Sequence, residues 1–117
     1  MKIKQQRLAN QIKKILAEII QFDLKDPNLG LVTITDVDLS ADLSVVKVYV
    51  MVSGSSRQRK KTLAALEHGQ GFIRSALAKE LTTYKTPEIR FFYDDSFDKA
   101  QRIDDLIKLA NQPASEE

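Results

Sequence analysis

The chain has 117 residues, 43% of them hydrophobic and 29% charged, a balance that suits one domain with a modest core and leaves no room for a second. It contains no cysteine, which removes disulfide frameworks, thiolate metal sites and cysteine nucleophiles together. The net charge is only +2, but residues 1–14 carry five basic side chains and no acid, while Asp94–Glu117 carry three basic and seven acidic ones, leaving fifteen basic against nine acidic elsewhere.

In chain order, the first segment is charged and lacks the continuous apolar stretch of a signal peptide, and no later run reaches membrane-spanning length. A cytoplasmic protein with no membrane partner is expected. From Ile3 to Phe22, Leu8, Ile12, Ile15, Leu16, Ile19 and Ile20 recur at the spacing of one helix with a single buried stripe. Lys4, Arg7, Gln11 and Lys14 follow steps of three and four and share an exposed face. KDPNLG at 25–30 stops that helix: Asp26 and Pro27 favour the opening of a turn, and Gly30 tolerates the backbone angles of its exit.

LVTITDVDL (31–39) and LSVVKVYVMV (43–52) are rich in β-branched residues and read as strands, joined as an antiparallel hairpin by the short link at 40–42. In the second, Val46, Val48, Val50 and Val52 alternate with Val45, Lys47, Tyr49 and Met51, giving one buried and one amphipathic face. SGSSRQRKK at 53–61 is a polar connection in which Ser55 or Ser56 caps the next helix. That helix carries Leu63, Ala64 and Leu66, and a following one carries Ile73, Ala76, Leu77 and Leu81. Between them Gly69 and Gly71 flank Gln70. The helical phase survives the break, since Leu63 and Leu66 fall on the face of Ile73 and Leu77, so a kink is expected over Gly69, Gln70 and Gly71. YKTPE (84–88) ends the pair. IRFFYDD supplies a third strand with Ile89, Phe91 and Tyr93 on one side and Phe92 less clearly placed, and Ser96 is a cap for a last helix with Phe97, Ile103, Leu106, Ile107 and Leu109.

The order is α-β-β-α-α-β-α. Three strands are stable only when helices cover one face, so the expected class is α+β, a three-stranded sheet with helices on one face and a kinked central helix pair.

Catalytic chemistry is not announced. His68 is the sole histidine and has no ligand or base pattern beside it. The acidic pairs at 94–95 and 104–105 fit capping and solvated roles, and SGSS lacks the spacing of a phosphate cradle. No cofactor or metal is expected, and the chain is not read as an enzyme.

The basic residues carry more. Arg57, Arg59, Lys60 and Lys61 crowd the start of a helix, where the dipole disfavours cations; Lys2, Lys4 and Arg7 repeat the pattern on the first helix. A phosphate there would meet side-chain cations and free helix N–H groups together. An ordinary solvated surface is the competing reading of the same charges. The element order matches type II KH domains, which clamp single strands with a GxxG loop. No GxxG occurs in this chain.

RLANQI (7–12), KDPNLG (25–30), VTITDV (32–37), DLS (42–44), KVYV (47–50), GFIR (71–74), TPEIRF (86–91) and DDS (94–96), in this order and spacing, resemble the ribosome-binding factor A family of bacterial small-subunit assembly factors. The resemblance runs from about Arg7 to Leu106. That family places Ala-x-Gly at the interhelical kink in place of GxxG; here Gly71 matches, while Gly69 stands where alanine is usual.

The resemblance implies a type II KH-like domain over residues 1–110 with a flexible acidic tail over 111–117. It also implies a non-catalytic protein that binds the immature 30S subunit and its 16S rRNA, supports maturation of the rRNA 5′ end, serves cold adaptation, and is released with help from a ribosome-dependent GTPase. A monomer is expected. The RNA-contacting residues are then Lys4, Arg7, Lys13, Lys14, Arg57, Arg59, Lys60, Lys61, Arg74 and Lys85. Two alternatives stay open: an interaction adaptor whose acidic last helix, around Asp98 to Asp105, docks a basic partner, and a generic KH-like single-stranded RNA binder.

Overall fold

The computed structural model describes residues 3–81 and 85–111; Lys2, Tyr84 of the expected helix stop and the tail beyond Asn111 lie outside them. Helix α1 spans Ile3–Glu18, strands β1 and β2 span Val32–Leu39 and Val45–Val52, helices α2 and α3 span Ser56–His68 and Gln70–Glu80, strand β3 spans Glu88–Tyr93 and helix α4 spans Ser96–Asn111. This is the α-β-β-α-α-β-α order of the sequence reading.

Leu8, Ile12 and Leu16, four residues apart, form the buried stripe of α1. The α-helical stretch ends sooner than its apolar spacing suggests: Ile19–Asp23 form one π-helical turn, in which the Leu24 N–H donates to the Ile19 carbonyl at 2.9 Å. The wider turn lets Leu24, five residues beyond Ile19, continue the inward face while the charged Asp23 stays exposed.

In KDPNLG the Asp26 carboxylate accepts from the Asn28 N–H (2.9 Å) and the Asp26 carbonyl accepts from the Leu29 N–H (3.0 Å), so Asp26 and Pro27 do open the turn. Gly30 acts differently from expectation. Its φ is not positive; a Cβ there would lie 3.0 Å from Thr62 Oγ1, so the residue permits close approach of the loop to α2. Left-handed backbone occurs instead at Leu43 (φ 64°), in the hairpin turn, and at Gly54 (φ 108°), before α2.

β1 pairs antiparallel and β3 parallel with the central β2. The parallel pair requires a crossover, and α2 and α3 supply it. Val37, Leu39, Val46, Val48, Val50 and Ile89 point inward and meet Leu8, Ile12, Leu16, Leu66, Ile73 and Leu77 in one core. Phe91 and Tyr93 pack against it, half-buried. The opposite sheet face is uncovered: Lys47, Arg90 and Phe92 are exposed there, and the Phe92 ring stacks on Tyr49 with centroids 5.6 Å apart. A bulge at Thr35 shifts the register between Ile34 and Asp36, and the Thr35 hydroxyl donates to Asp94 Oδ2 at 2.6 Å.

α2 and α3 meet at Gly69 (φ −86°, ψ 1°). The Gly69 N–H donates to the Ala65 carbonyl and the Ile73 N–H to the Gly69 carbonyl, both at 2.9 Å, so hydrogen bonding passes through the break. Leu66, Ile73 and Leu77 are buried on one face. The two glycines are not equivalent. A Cβ on Gly69 would stand 2.9 Å from Leu24 Cδ1 and 3.2 Å from the Ala65 carbonyl, whereas one on Gly71 would meet nothing within 4 Å.

α4 departs from the layer. Ser96 is its first residue rather than its cap, and the Ser96 N–H donates to Asp94 Oδ1 at 2.9 Å. Every residue from Lys99 to Ala110 is exposed, including Ile103, Leu106, Ile107 and Leu109 at 51–68%. The amphipathic spacing makes the helix, but from Lys99 to Ala110 no part of the sheet receives its apolar stripe.

Candidate nucleic-acid interface

The sheet has two ends, and the predicted cations divide between them. At the end where β2 and β3 finish, Ser55 caps α2: its side chain accepts from the Gln58 N–H at 3.2 Å. Arg57, Lys60 and Lys61 are exposed on the first turns that follow. No acid lies in the first turn, and none of the three has an ion-pair partner among the described residues. Thr62, fully buried, ties this helix to the KDPNLG turn, with its hydroxyl accepting from the Gly30 N–H at 3.0 Å and facing the Asn28 carbonyl at 3.4 Å. Lys13 and Lys14, both exposed, border the groove that Gly30 and Leu31 also line.

Arg59 is placed apart from its neighbours. Its guanidinium lies over the Tyr93 ring, 4.4 Å from the centroid, and 3.7 Å from Asp98 Oδ2. The Tyr93 hydroxyl donates to the same carboxylate oxygen at 2.7 Å. The Asp98 acceptor raises the Tyr93 phenol pKa above its ordinary value, and burial adds to this while Arg59 opposes it. Arg59 Nε is buried without a partner. This arrangement joins α2, β3 and α4 through residues that the sequence suggests for separate roles: Arg59 for RNA contact, Tyr93 for the core, and Asp98 for the acidic last helix of the adaptor alternative. No local spacing signals it, since Arg59 is remote from the other two in sequence.

At the opposite end, where β3 begins, Arg74 and Lys85 border a groove of about 520 Å³ together with Gly71, Ser75, Ala78 and Thr86. Arg74 Nη2 donates to the Thr86 carbonyl at 3.1 Å, an orientation that leaves the rest of the exposed guanidinium available. Gln70, in the middle of the kink, donates from Nε2 to the Ile89 carbonyl at 2.9 Å and so fixes α3 to the start of β3. Lys4 and Arg7 are exposed on the N-terminal half of α1, which reaches this end as well: Gln5 Nε2 donates to the Leu39 carbonyl at 2.6 Å.

The two groups are therefore separated by about 25 Å, the length of an eight-residue strand. Such a span suits a chain of phosphates rather than one anion. The described residues contain no cluster of three or more metal-ligating side chains and no helix long and apolar enough to cross a membrane. Asp94 is held down to about 2, first by Ser96 and then by Thr35, and Asp42 to about 2 by Ser44 and Ser40; Asp42 is fixed by hydrogen bonds within its turn, Asp94 by one local bond and one across to β1.

Comparison with known proteins gives a consistent picture. The family model described as ribosome-binding factor A matches residues 4–107. A Macrococcus caseolyticus protein named ribosome-binding factor A is 40% identical over 112 residues, covering 96% of this chain and 98% of its own. The crystal structure of ribosome-binding factor A from Thermus thermophilus superposes with a TM-score of 0.67 at 35% identity, covering 76% of this chain and 93% of that one. A Thermus thermophilus ribosome binding factor A homology model, fitted into a cryo-EM map of a 30S complex with that factor, gives 0.63 at 35% identity over the same shares.

Proposed function

This chain belongs to the ribosome-binding factor A family, and from that premise we propose that it is a non-catalytic assembly factor that binds the immature 30S subunit. The observation that carries the RNA side is the group Arg57, Lys60 and Lys61, exposed at a helix N-terminus with no acid in the first turn. Cations there oppose the helix dipole, and a phosphate relieves the conflict by pairing with side chains and free N–H groups at once. Arg74 and Lys85 hold the same strand of rRNA at the far end, with Lys13 and Lys14 beside the first group and Lys4 and Arg7 beside the second. Arg59 contributes indirectly, by holding α4.

Bound in this way, the factor supports 5′-end maturation of 16S rRNA in the cytoplasm by holding the unfinished RNA in a form that processing enzymes accept, and a ribosome-dependent GTPase removes it. Support for the subunit-binding part comes from the Thermus thermophilus relative, whose homology model is fitted into a map of its complex with the 30S subunit. An adaptor reading keeps one observation in its favour, the exposed stripe of Ile103, Leu106 and Ile107 on α4.

The test uses purified immature small subunits and the full chain carrying R57E, K60E, K61E, R74E and K85E. Each lost phosphate contact lowers the slope of log affinity against log salt by about 0.7 to 0.9, so the slope is expected to fall by roughly 3.5 to 4.5. Unchanged affinity with an unchanged slope would overturn the RNA assignment. A variant that keeps binding but loses it when Leu106 and Ile107 become serine would move the function to α4.

A further inference from the structure

The outer edge of β1 is a second surface with unpaired backbone groups. β1 is an edge strand, and its ladder can be phased from its ends. The Ser53 N–H donates to the Leu31 carbonyl at 3.2 Å, and Thr33 faces Met51. Because antiparallel residues alternate between bonding their partner strand and pointing away from it, Val32 and Ile34 turn their N–H and C=O groups outward. No group among the described residues bonds them.

At its other end the same edge is partly covered. The bulge at Thr35 bends it, the Asp36 carboxylate accepts from the Val37 N–H at 2.9 Å, and Gln5 from α1 takes the Leu39 carbonyl, which blunts that end. The open stretch, Leu31–Ile34, has no such cover and borders a groove of about 870 Å³ between β1 and the second half of α1. Ile20, Leu24 and Leu29 supply apolar lining; Lys13 and Lys14 stand on the rim against the single acid Asp26. Leu31 is 69% exposed.

We propose that this edge receives an extended acidic segment of a partner protein as a fourth strand. Backbone groups of Val32 and Ile34 supply the ladder, alternate side chains of the guest enter the groove, and acidic residues flanking them meet Lys13 and Lys14. An unpaired strand edge beside an apolar trough matches polypeptide better than nucleic acid, which has no complementary amide ladder. The inference goes beyond RNA binding and stands independently of it, although Lys13 and Lys14 serve both readings.

The probe is a blocked peptide of about eight residues in which valine and threonine alternate between terminal glutamates. Amide exchange at Val32 and Ile34 is fast in the free chain and slows about tenfold or more when the peptide bonds them, while Val48 in the central strand is unchanged. The same peptide N-methylated at alternate residues keeps its side chains but loses its donors, and is expected to bind at least about tenfold more weakly. K13E with K14E weakens the acidic peptide about tenfold and favours a lysine-flanked one.

Four results would overturn the proposal: no slowing at about 1 mM peptide, equal binding of the N-methylated peptide, slowing that depends on protein concentration alone, which indicates a second copy, or displacement of the peptide by an unpaired RNA oligomer that protects the same two amides. Because the probe contains no nucleic acid, its failure leaves the subunit-binding reading intact.

Discussion

Replacing each of the two kink glycines by alanine separates a steric requirement from a propensity effect. At Gly71 an added Cβ meets nothing within 4 Å, and the backbone is already helical. Alanine therefore gains from the smaller entropy of its unfolded state and from better helix propensity, about 0.5 to 1 kcal/mol, or about 2–4 °C in Tm. At Gly69 a comparable gain, about 0.4 to 1 kcal/mol, is set against Leu24 Cδ1 at 2.9 Å. Moving that methyl group off its preferred rotamer costs about 0.5 to 1.5 kcal/mol, so G69A is expected to lie between about 0.5 kcal/mol more stable and 1 kcal/mol less stable than the parent.

Urea unfolding followed by far-UV circular dichroism, with m unchanged, measures both variants. The L24A background isolates the cause: there G69A becomes stabilising, with a coupling of about 1 kcal/mol. No coupling between G69A and L24A would refute the steric cause. A Gly71 variant destabilised by more than about 0.5 kcal/mol would show that the open site is not open.

T62V keeps the shape of a buried side chain but leaves the Gly30 N–H without its acceptor; a loss of about 1–3 kcal/mol is expected, with faster exchange of the Gly30 amide, and an unchanged stability would assign that amide another partner. The depressed pKa values of Asp94 and Asp42, about 2 in the folded chain, set the acid limb. Their contribution is fully present above the ordinary carboxylate pKa of about 3.9 and is lost as pH falls from roughly 4 toward 2; carbon-detected NMR titration is expected to show both carboxyls still ionised at about pH 3, and midpoints near the ordinary value would refute the hydrogen-bond assignment.

Much of this architecture is legible in the sequence because it rests on periodicity. The alternation of Val46, Val48 and Val50 with Lys47 and Tyr49 gives the two faces of β2, and the shared phase of Leu66, Ile73 and Leu77 shows that the helix pair bends without losing register. What escapes is set by contacts between distant segments. Gly30 looks like a residue needed for its dihedral angles, yet its small size serves Thr62 across the fold. The π-helical turn is invisible in a pattern where Ile19, Ile20 and Leu24 suit either winding. The exposed stripe on α4 has the same spacing as a buried one, since periodicity reports which residues share a face and not what that face meets. For the cations, charge counting separates them from the acidic end but cannot place Arg59 over Tyr93, nor divide the others between two ends of a sheet.

That division has a kinetic meaning under the proposed function. Two weak electrostatic handholds about 25 Å apart act as a bivalent grip: once one is engaged, the other binds at the high effective concentration set by a rigid spacer. The same grip can be undone sequentially, because freeing either end removes the avidity without requiring every contact to break together. A factor that must hold an unfinished particle firmly and then leave it is well served by attachment that peels.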